Sequence, residues 1–272
     1  MEKSFSFLSK EYDRLFLKNL EMFCKNISKK ESHRNRKFSL FYPSFGTNNK
    51  KIDFVIYGQA TKGWTPEFEI DKKINYNKLV DEARIFSNTI GEIERNPLDW
   101  VNINWSEKTK KEYNKHKNLI IDYNANRSFF WNVTYKLISD YYDELDRNSP
   151  DWSGKLVWSN LMKIAPAERL NPDEVIYSDQ LHGCVKLFIQ ELEEIKPKYA
   201  ILLTNLNWAK EFIKTITGIP IPSNDIIEWA GYFKKTLIII TKRPFQGNSD
   251  KFVEAILKFI SLQLTFGPIN EV

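Results

Sequence analysis

The chain has 272 residues, of which 42% are hydrophobic and 14% aromatic, with 40 Lys+Arg against 35 Asp+Glu. This composition is typical of a globular protein and excludes a disordered or low-complexity chain. The formal net charge of +5 allows a polyanionic partner without requiring one. We expect a single domain over residues 1–272, with an N-terminal helical extension (1–50) and a helical insertion (65–126).

Cysteine and histidine are too scarce for a familiar metal motif. Cys24 and Cys184 lie far apart, and the chain has three histidines, so we expect no metal and no cofactor. The first residues, MEKSFSFLSKEYDRLF, lack the apolar core of a signal peptide, and no later run has the length of a membrane span. We therefore expect a cytoplasmic monomer that does not enter a membrane.

The N-terminal half begins with a predicted helix and continues into a predicted buried strand. Ser9 is a candidate N-cap, and apolar residues from Tyr12 to Ile27 recur at helical spacing. The charged run 29–37 indicates a solvated connection, with phosphate contact as the alternative. Residues 52–57 then form a short apolar run that ends at Gly58, which is typical of a buried parallel strand opening into a loop.

The rest of the chain alternates helical and strand-like patterns. In the insertion, the lysine-rich stretch 106–118 is expected to be a solvated helix, with a nucleic-acid contact surface as the alternative. Residues 127–145 then have helical periodicity. Further strands are predicted at 156–160, 199–204 and 236–241, and helices at 181–195 and from 250 onward. Residues 226–233 fit either an edge strand or a loop. The order predicts a three-layer α/β/α fold around a mostly parallel four-stranded sheet.

Ligands of such sheets bind beyond the carboxyl ends of the parallel strands. The residues that follow the predicted strands are cationic, aromatic or amide-bearing, a combination that suits a nucleobase with its phosphates. They are Gln59, Thr61, Lys62, Trp64, Asn160, Lys163, Arg169, Thr204, Asn205, Lys242, Arg243 and Phe245.

Four stretches in this order resemble the motifs of the uracil-DNA glycosylase superfamily. They are GQATKGW after the first strand, LVWSNLMKIAPAERLNP, EEIKPKYAILLT and IIITKRPFQG. The second and third are closest to the iron-sulfur branch, although two cysteines cannot ligate a four-iron cluster. The stretch RSFFWNVTYKL is similar to the Phe-Trp helix start of the mismatch-specific branch. The match covers about half the chain.

The resemblance implies a uracil-DNA glycosylase-like fold and roles for particular residues. Gly58 to Lys62, including Gln59, Ala60 and Thr61, would hold the base edge and the catalytic water. Asn160 would bond the amide face of a pyrimidine, and Trp64 or Phe68 would stack on the flipped base. Lys62, Lys163, Arg169 and Lys242 would contact DNA phosphates.

Two positions depart from the superfamily pattern. Ala60 stands where several branches have a catalytic Asp or Asn, and Glu67 or Glu69 is a possible substitute slightly downstream. Arg243 stands where a His precedes the retained Pro244, and as a permanent cation it would stabilise the anionic base. The resemblance therefore implies hydrolysis of the N-glycosidic bond of a deaminated or damaged base in single- or double-stranded DNA. The alternatives are a catalytically silent relative that binds nucleic acid or a nucleotide, and an unrelated α/β enzyme acting on a nucleotide-like molecule.

Overall fold

The computed structural model describes residues 8–46, 52–61, 63–70, 72–89, 96–103, 125–142, 145–146, 151–168, 171–222, 224–245 and 249–266. The strands are β1 (Lys37–Leu40), β2 (Ser44–Phe45), β3 (Phe54–Gly58), β4 (Glu67–Glu69), β5 (Leu156–Asn160), β6 (Ile164–Pro166), β7 (Tyr199–Leu202), β8 (Ile227–Phe233) and β9 (Thr236–Thr241). The α-helices are α1 (Lys10–Ile27), α2 (Tyr76–Thr89), α3 (Trp100–Ile103), α4 (Phe129–Tyr141), α5 (Glu174–Ile195), α6 (Leu206–Ala209) and α7 (Ser249–Phe266).

The central sheet has the strand order β2-β5-β3-β7-β9-β8. Its inner strands β5, β3, β7 and β9 are parallel, which confirms the predicted mostly parallel α/β sheet. Two antiparallel edge strands, β2 and β8, make the sheet six-stranded rather than four-stranded. Of the two predictions for 226–233, the edge strand is correct, because β8 forms a hairpin with β9 across the turn at Lys234.

Helices cover both faces of this sheet, because successive side chains of a buried strand point to opposite sides. Val55 and Tyr57 of β3 belong to a core cluster with α1 and α5. Phe54 and Ile56 belong to a second cluster with α4 and α7. We call these the α1/α5 face and the α4/α7 face.

Helix α1 begins where the sequence predicts, with the Ser9 hydroxyl accepting a hydrogen bond from the Tyr12 amide. It packs closely on α5. A Cβ added at Gly183 of α5 would lie 1.9 Å from Oδ1 of Asn19, so only glycine permits this approach. The N-terminal helix is therefore built into the core of the α1/α5 face.

A second, three-stranded antiparallel sheet has the order β4-β1-β6 and was missed by the sequence analysis. Its strand β4 lies in the segment interpreted as a helical insertion, and β6 lies in the stretch interpreted as a loop after Asn160. Strands of three residues are too short to show the alternation on which strand prediction depends. The lysine-rich stretch 106–118 lies outside the described residues.

Among the helices of the described residues, none combines the length and the apolar character needed to cross a membrane. The same ranges contain no group of three His, Cys, Asp or Glu side chains placed to hold a metal ion. Burial raises the pKa of the Cys24 thiol to about 12 and that of the Cys184 thiol to about 11. Both thiols are therefore protonated near neutral pH and act as core groups.

Candidate functional site

Gly58 and Asn160 lie side by side at the carboxyl edge of the central sheet. They are the last residues of the adjacent parallel strands β3 and β5 and are partners in the strand register. A Cβ added at Gly58 would lie 2.4 Å from Oδ1 of Asn160 and 3.6 Å from Cε2 of Phe130. The missing side chain at position 58 thus makes room for the Asn160 amide beside an aromatic ring.

The Asn160 amide is buried and has an unused donor. The residue is 2% exposed, and its Nδ2 atom has no hydrogen-bond partner among the described residues. Leaving a buried amide donor unpaired costs about 1–3 kcal/mol, so nearly all such groups in folded proteins find a partner. A ligand with an acceptor atom beside Phe130 would supply that partner.

The wall around this position is aromatic. Trp158 of β5 points to the same α4/α7 face as Asn160, two residues along the strand. The Trp64 ring packs edge-on against Trp158, with ring centroids 5.1 Å apart. The indole nitrogen of Trp64 is also a buried donor without a partner within the described ranges. Planar rings and an unpaired amide suit a flat, polar, heteroaromatic ligand.

Phe130 was missed as a site residue, although the sequence contained a signal for it. In the sequence, Phe130 belongs to the helical pattern of the RSFFWNVTYKL stretch. Ser128 caps α4 by accepting a hydrogen bond from the Trp131 amide, and this start brings the Phe130 ring to the Gly58–Asn160 pair. The similarity of this stretch to a Phe-Trp helix start was the available signal.

Phe68 does not lie with these residues. It belongs to β4 and packs in the core cluster of the α1/α5 face, where its ring centroid is 5.8 Å from that of Phe38. The prediction that Phe68 stacks on a base is therefore wrong, because the central sheet separates its cluster from the Asn160 side chain. Glu67 is exposed on the same short strand, opposite Ser39.

Lys163 does not contact phosphates, contrary to the sequence prediction. Its side chain is 1% exposed, and its ammonium lies 2.6 Å from a carboxylate oxygen of Glu191, which is completely buried. A buried cation that is already paired with an anion is unavailable to an external phosphate. The other two predicted phosphate contacts before β7, Lys62 and Arg169, lie outside the described residues.

Gln59, just after β3, contacts the chain after β7 and the segment before α5 through its side chain. Its Nε2 donates to the Thr204 carbonyl after β7 at 2.7 Å, and its Oε1 lies 3.5 Å from the Asn171 amide nitrogen. Ala60 is partly buried against the α1/α5 core, and Thr61 is 5% exposed. The Gln59 amide is therefore engaged by the protein itself, and this loop supports the sheet edge.

Lys242 and Arg243 are exposed just past β9, and Pro244 is partly exposed. Within the described ranges, neither cationic side chain forms an ion pair or a hydrogen bond. Because β9 lies three strands from β5 in the sheet order, these cations are at the same sheet edge as Asn160, about 14 Å away at ordinary strand spacing. They add positive charge to the edge of the sheet on which Asn160 lies.

No protein-family model matches the chain, and no curated protein matches its sequence. The site is therefore defined by its geometry alone. It brings together Gly58, Asn160, Phe130 and Trp158, with Trp64 packed behind and the cations after β9 along the edge.

Proposed function

We propose that this protein is a DNA glycosylase-like hydrolase that cleaves the N-glycosidic bond of a deaminated or damaged, uracil-like base. The observation that carries the proposal is the unpaired, buried Nδ2 of Asn160 beside the Phe130 ring. An amide donor held against an aromatic edge recognises the carbonyl oxygen of a pyrimidine while the ring contacts its face. The motif resemblance points to the same base class.

The chemistry also requires charge stabilisation. Cleavage leaves an oxocarbenium-like sugar and an anionic base, so a donor at the base oxygen lowers the barrier more than it strengthens substrate binding. The Asn160 amide supplies such a donor in a dry environment, where electrostatic interactions are strongest. The exposed Arg243 supplies a permanent cation at the same sheet edge.

Base entry requires a side chain to move, because Asn160 is only 2% exposed. Phe130 is the candidate, since its ring is partly buried at the start of α4 and contacts the Gly58–Asn160 pair. Outward movement of the Phe130 ring would expose the Asn160 amide to the base, and return of the ring would enclose the bound base.

A second candidate function is base or nucleotide binding without cleavage. The engaged Gln59 amide and the presence of Ala60 favour it, because neither residue offers a free group to activate water. Glu67 lies on β4, in the other sheet. Recognition by Asn160 is common to both functions, whereas water activation belongs only to the hydrolase.

The two functions are separated by measuring base release and DNA binding together. Oligonucleotides containing uracil or hypoxanthine, single- and double-stranded, are incubated with the protein and treated with alkali to reveal abasic sites. A hydrolase releases the base, and Asn160→Ala lowers the rate about 10²–10³-fold. Asn132→Ala, on the partly exposed side of α4, is the matched control and retains the wild-type rate.

Anisotropy with the same oligonucleotides at increasing salt measures binding. Binding that weakens with salt, together with no release from any substrate, identifies the non-catalytic function. If the protein neither binds any of these oligonucleotides nor releases a base from them, both candidate functions are refuted.

A further inference from the structure

We propose that Lys163 and Glu191 are positioning residues that hold Asn160 in place for base recognition; this inference rests on the proposed function of the Asn160 site. The two residues form an ion pair on the α1/α5 face, beneath the strand end that carries Asn160. Their nitrogen and oxygen atoms are 2.6 Å apart, and the two side chains are 1% and 0% exposed.

The Lys163 ammonium uses its donors on the segment that ends β5. Besides its pairing with Glu191, Nζ donates to the Asn160 carbonyl at 2.7 Å and to the Ser159 hydroxyl at 2.8 Å. An ammonium has three donors, so this set completes its bonding. The Asn160 peptide is therefore fixed by a charge-assisted hydrogen bond, while its side chain points to the opposite face of the sheet.

Glu191 is held equally firmly. Its Oε1 accepts from the Tyr12 hydroxyl of α1 at 2.7 Å, and its Oε2 accepts from Ser159 at 2.8 Å. Burial, and then the neighbouring Glu191 carboxylate, raise the pKa of Tyr12, so its hydroxyl keeps the proton that it donates. The N-terminal helix thus takes part in fixing the end of β5.

Gln180 lies about three turns before Glu191 on α5 and forms hydrogen bonds with the backbone of Lys163 and Ile164. Its Oε1 accepts from the backbone amides of Lys163 and Ile164 at 3.1 and 2.9 Å, and its Nε2 donates to the Ile164 carbonyl at 2.7 Å. A single helix therefore holds the chain from Ser159 to Ile164 at two points. Replacing a buried ion pair by apolar residues is often neutral or stabilising, so stability alone does not explain a charged pair here.

The inference is tested with Glu191→Gln, which keeps the shape of the side chain and removes its charge. The matched control is Glu193→Gln, two residues along the same helix, where the carboxylate pairs with Lys234 and is 39% exposed. Two quantities are measured in each variant: the NMR resonance of the Asn160 side-chain amide, identified by its loss in Asn160→Ala, and the affinity for a uracil-containing oligonucleotide.

We expect Glu191→Gln to shift the Asn160 amide resonance and to weaken binding by roughly 3- to 30-fold. Glu193→Gln should change neither quantity. Tyr12→Phe is a milder second variant, since it removes one hydroxyl and keeps the buried ring; it should shift the same resonance and provides the test if Glu191→Gln does not fold.

The two proposals fail in distinguishable ways. If the wild-type protein does not bind the oligonucleotide, the proposed function is wrong, while the resonance still reports whether the ion pair positions Asn160. The positioning role is refuted if Glu191→Gln or Tyr12→Phe folds and its Asn160 amide resonance is unshifted, as expected for the Glu193→Gln control.

Discussion

The two faces of the sheet at the end of β5 differ in whether their buried polar groups have hydrogen-bond partners. On the α1/α5 face, Lys163 and Glu191 are fully buried charges whose bonding partners are all provided by the protein. On the α4/α7 face, the Asn160 amide is equally buried but retains an unpaired donor within the described residues. Ser159, which contacts the network of the first face, and Asn160, whose side chain lies on the second, are consecutive residues of β5.

This difference distinguishes the groups that stabilise the fold from the group that we expect to bind a ligand. A satisfied buried network contributes rigidity and leaves nothing for a ligand to complete. An unsatisfied buried donor carries a free-energy cost that only a binding partner removes. Substitutions on the first face should therefore lower the free energy of unfolding strongly, whereas substitutions on the second should change ligand binding more than stability.

The largest effect is expected for Glu191→Ala. This change leaves the Lys163 ammonium buried without its anion, which typically destabilises a protein by about 3–5 kcal/mol. The free energy of unfolding from urea denaturation measures it. Glu193→Ala breaks a partly exposed pair on the same helix and should lower that free energy by no more than about 1 kcal/mol. Equal losses in the two variants would remove the distinction between the supporting network and an ordinary surface pair.

An intermediate effect is expected for Gly58→Ala. The new Cβ would lie 2.4 Å from Oδ1 of Asn160, so the amide must rotate away. We expect a loss of about 1–3 kcal/mol in unfolding free energy, as for other overpacked sites, together with loss of binding to uracil-containing DNA.

A double-mutant cycle with Asn160→Ala identifies the cause of that loss. In the Asn160→Ala background the clashing oxygen is gone, so Gly58→Ala should cost less by about 0.5–3 kcal/mol. Additive costs would show that Gly58 and Asn160 do not compete for the same space.

The parallel core of the sheet was predictable because its strands are short apolar runs ended by polar or glycine residues. All residues of β3, β5, β7 and β9 are buried, and the sequence shows this directly as runs such as FVIY and TLIII. The adjacency of Gly58 and Asn160 then followed from parallel strand ends meeting at one edge. The ends of such a continuous apolar run in the sequence mark the ends of the buried strand.

The supporting network was not predicted, because Glu191 and Lys163 look like ordinary surface charges in the sequence. Glu191 nevertheless falls on the buried stripe of α5, seven residues after Cys184 and four after Leu187. A charged residue on an apolar stripe signals a buried partner, but the sequence does not identify that partner. Lys163 lies beside Glu191 in a segment after β5 whose backbone amides donate to Gln180 of the same helix.

The position of Phe68 was not predictable for a related reason. The surrounding sequence suggested that Phe68 lies in a loop after β3, close to the ligand site. Instead, its strand pairs with β1 and belongs to the other sheet. Three-residue strands depend on distant partners for their existence, and local sequence does not encode that pairing.

The smallest expected change in stability, and the sharpest contrast with Glu191, belongs to Asn160→Leu. Leucine has nearly the shape of asparagine and lacks its donor, so the substitution removes the unpaired Nδ2 without opening a large cavity. Because an unsatisfied buried group costs free energy, we expect the free energy of unfolding to stay within about 1 kcal/mol of the wild-type value or to rise. The bond from Lys163 survives, since it ends on the Asn160 backbone carbonyl. Binding to uracil-containing DNA should be lost in the same variant, measured by anisotropy beside urea denaturation. A large loss of stability would instead mean that the Asn160 side chain supports the fold, and the two faces of the sheet would then be alike.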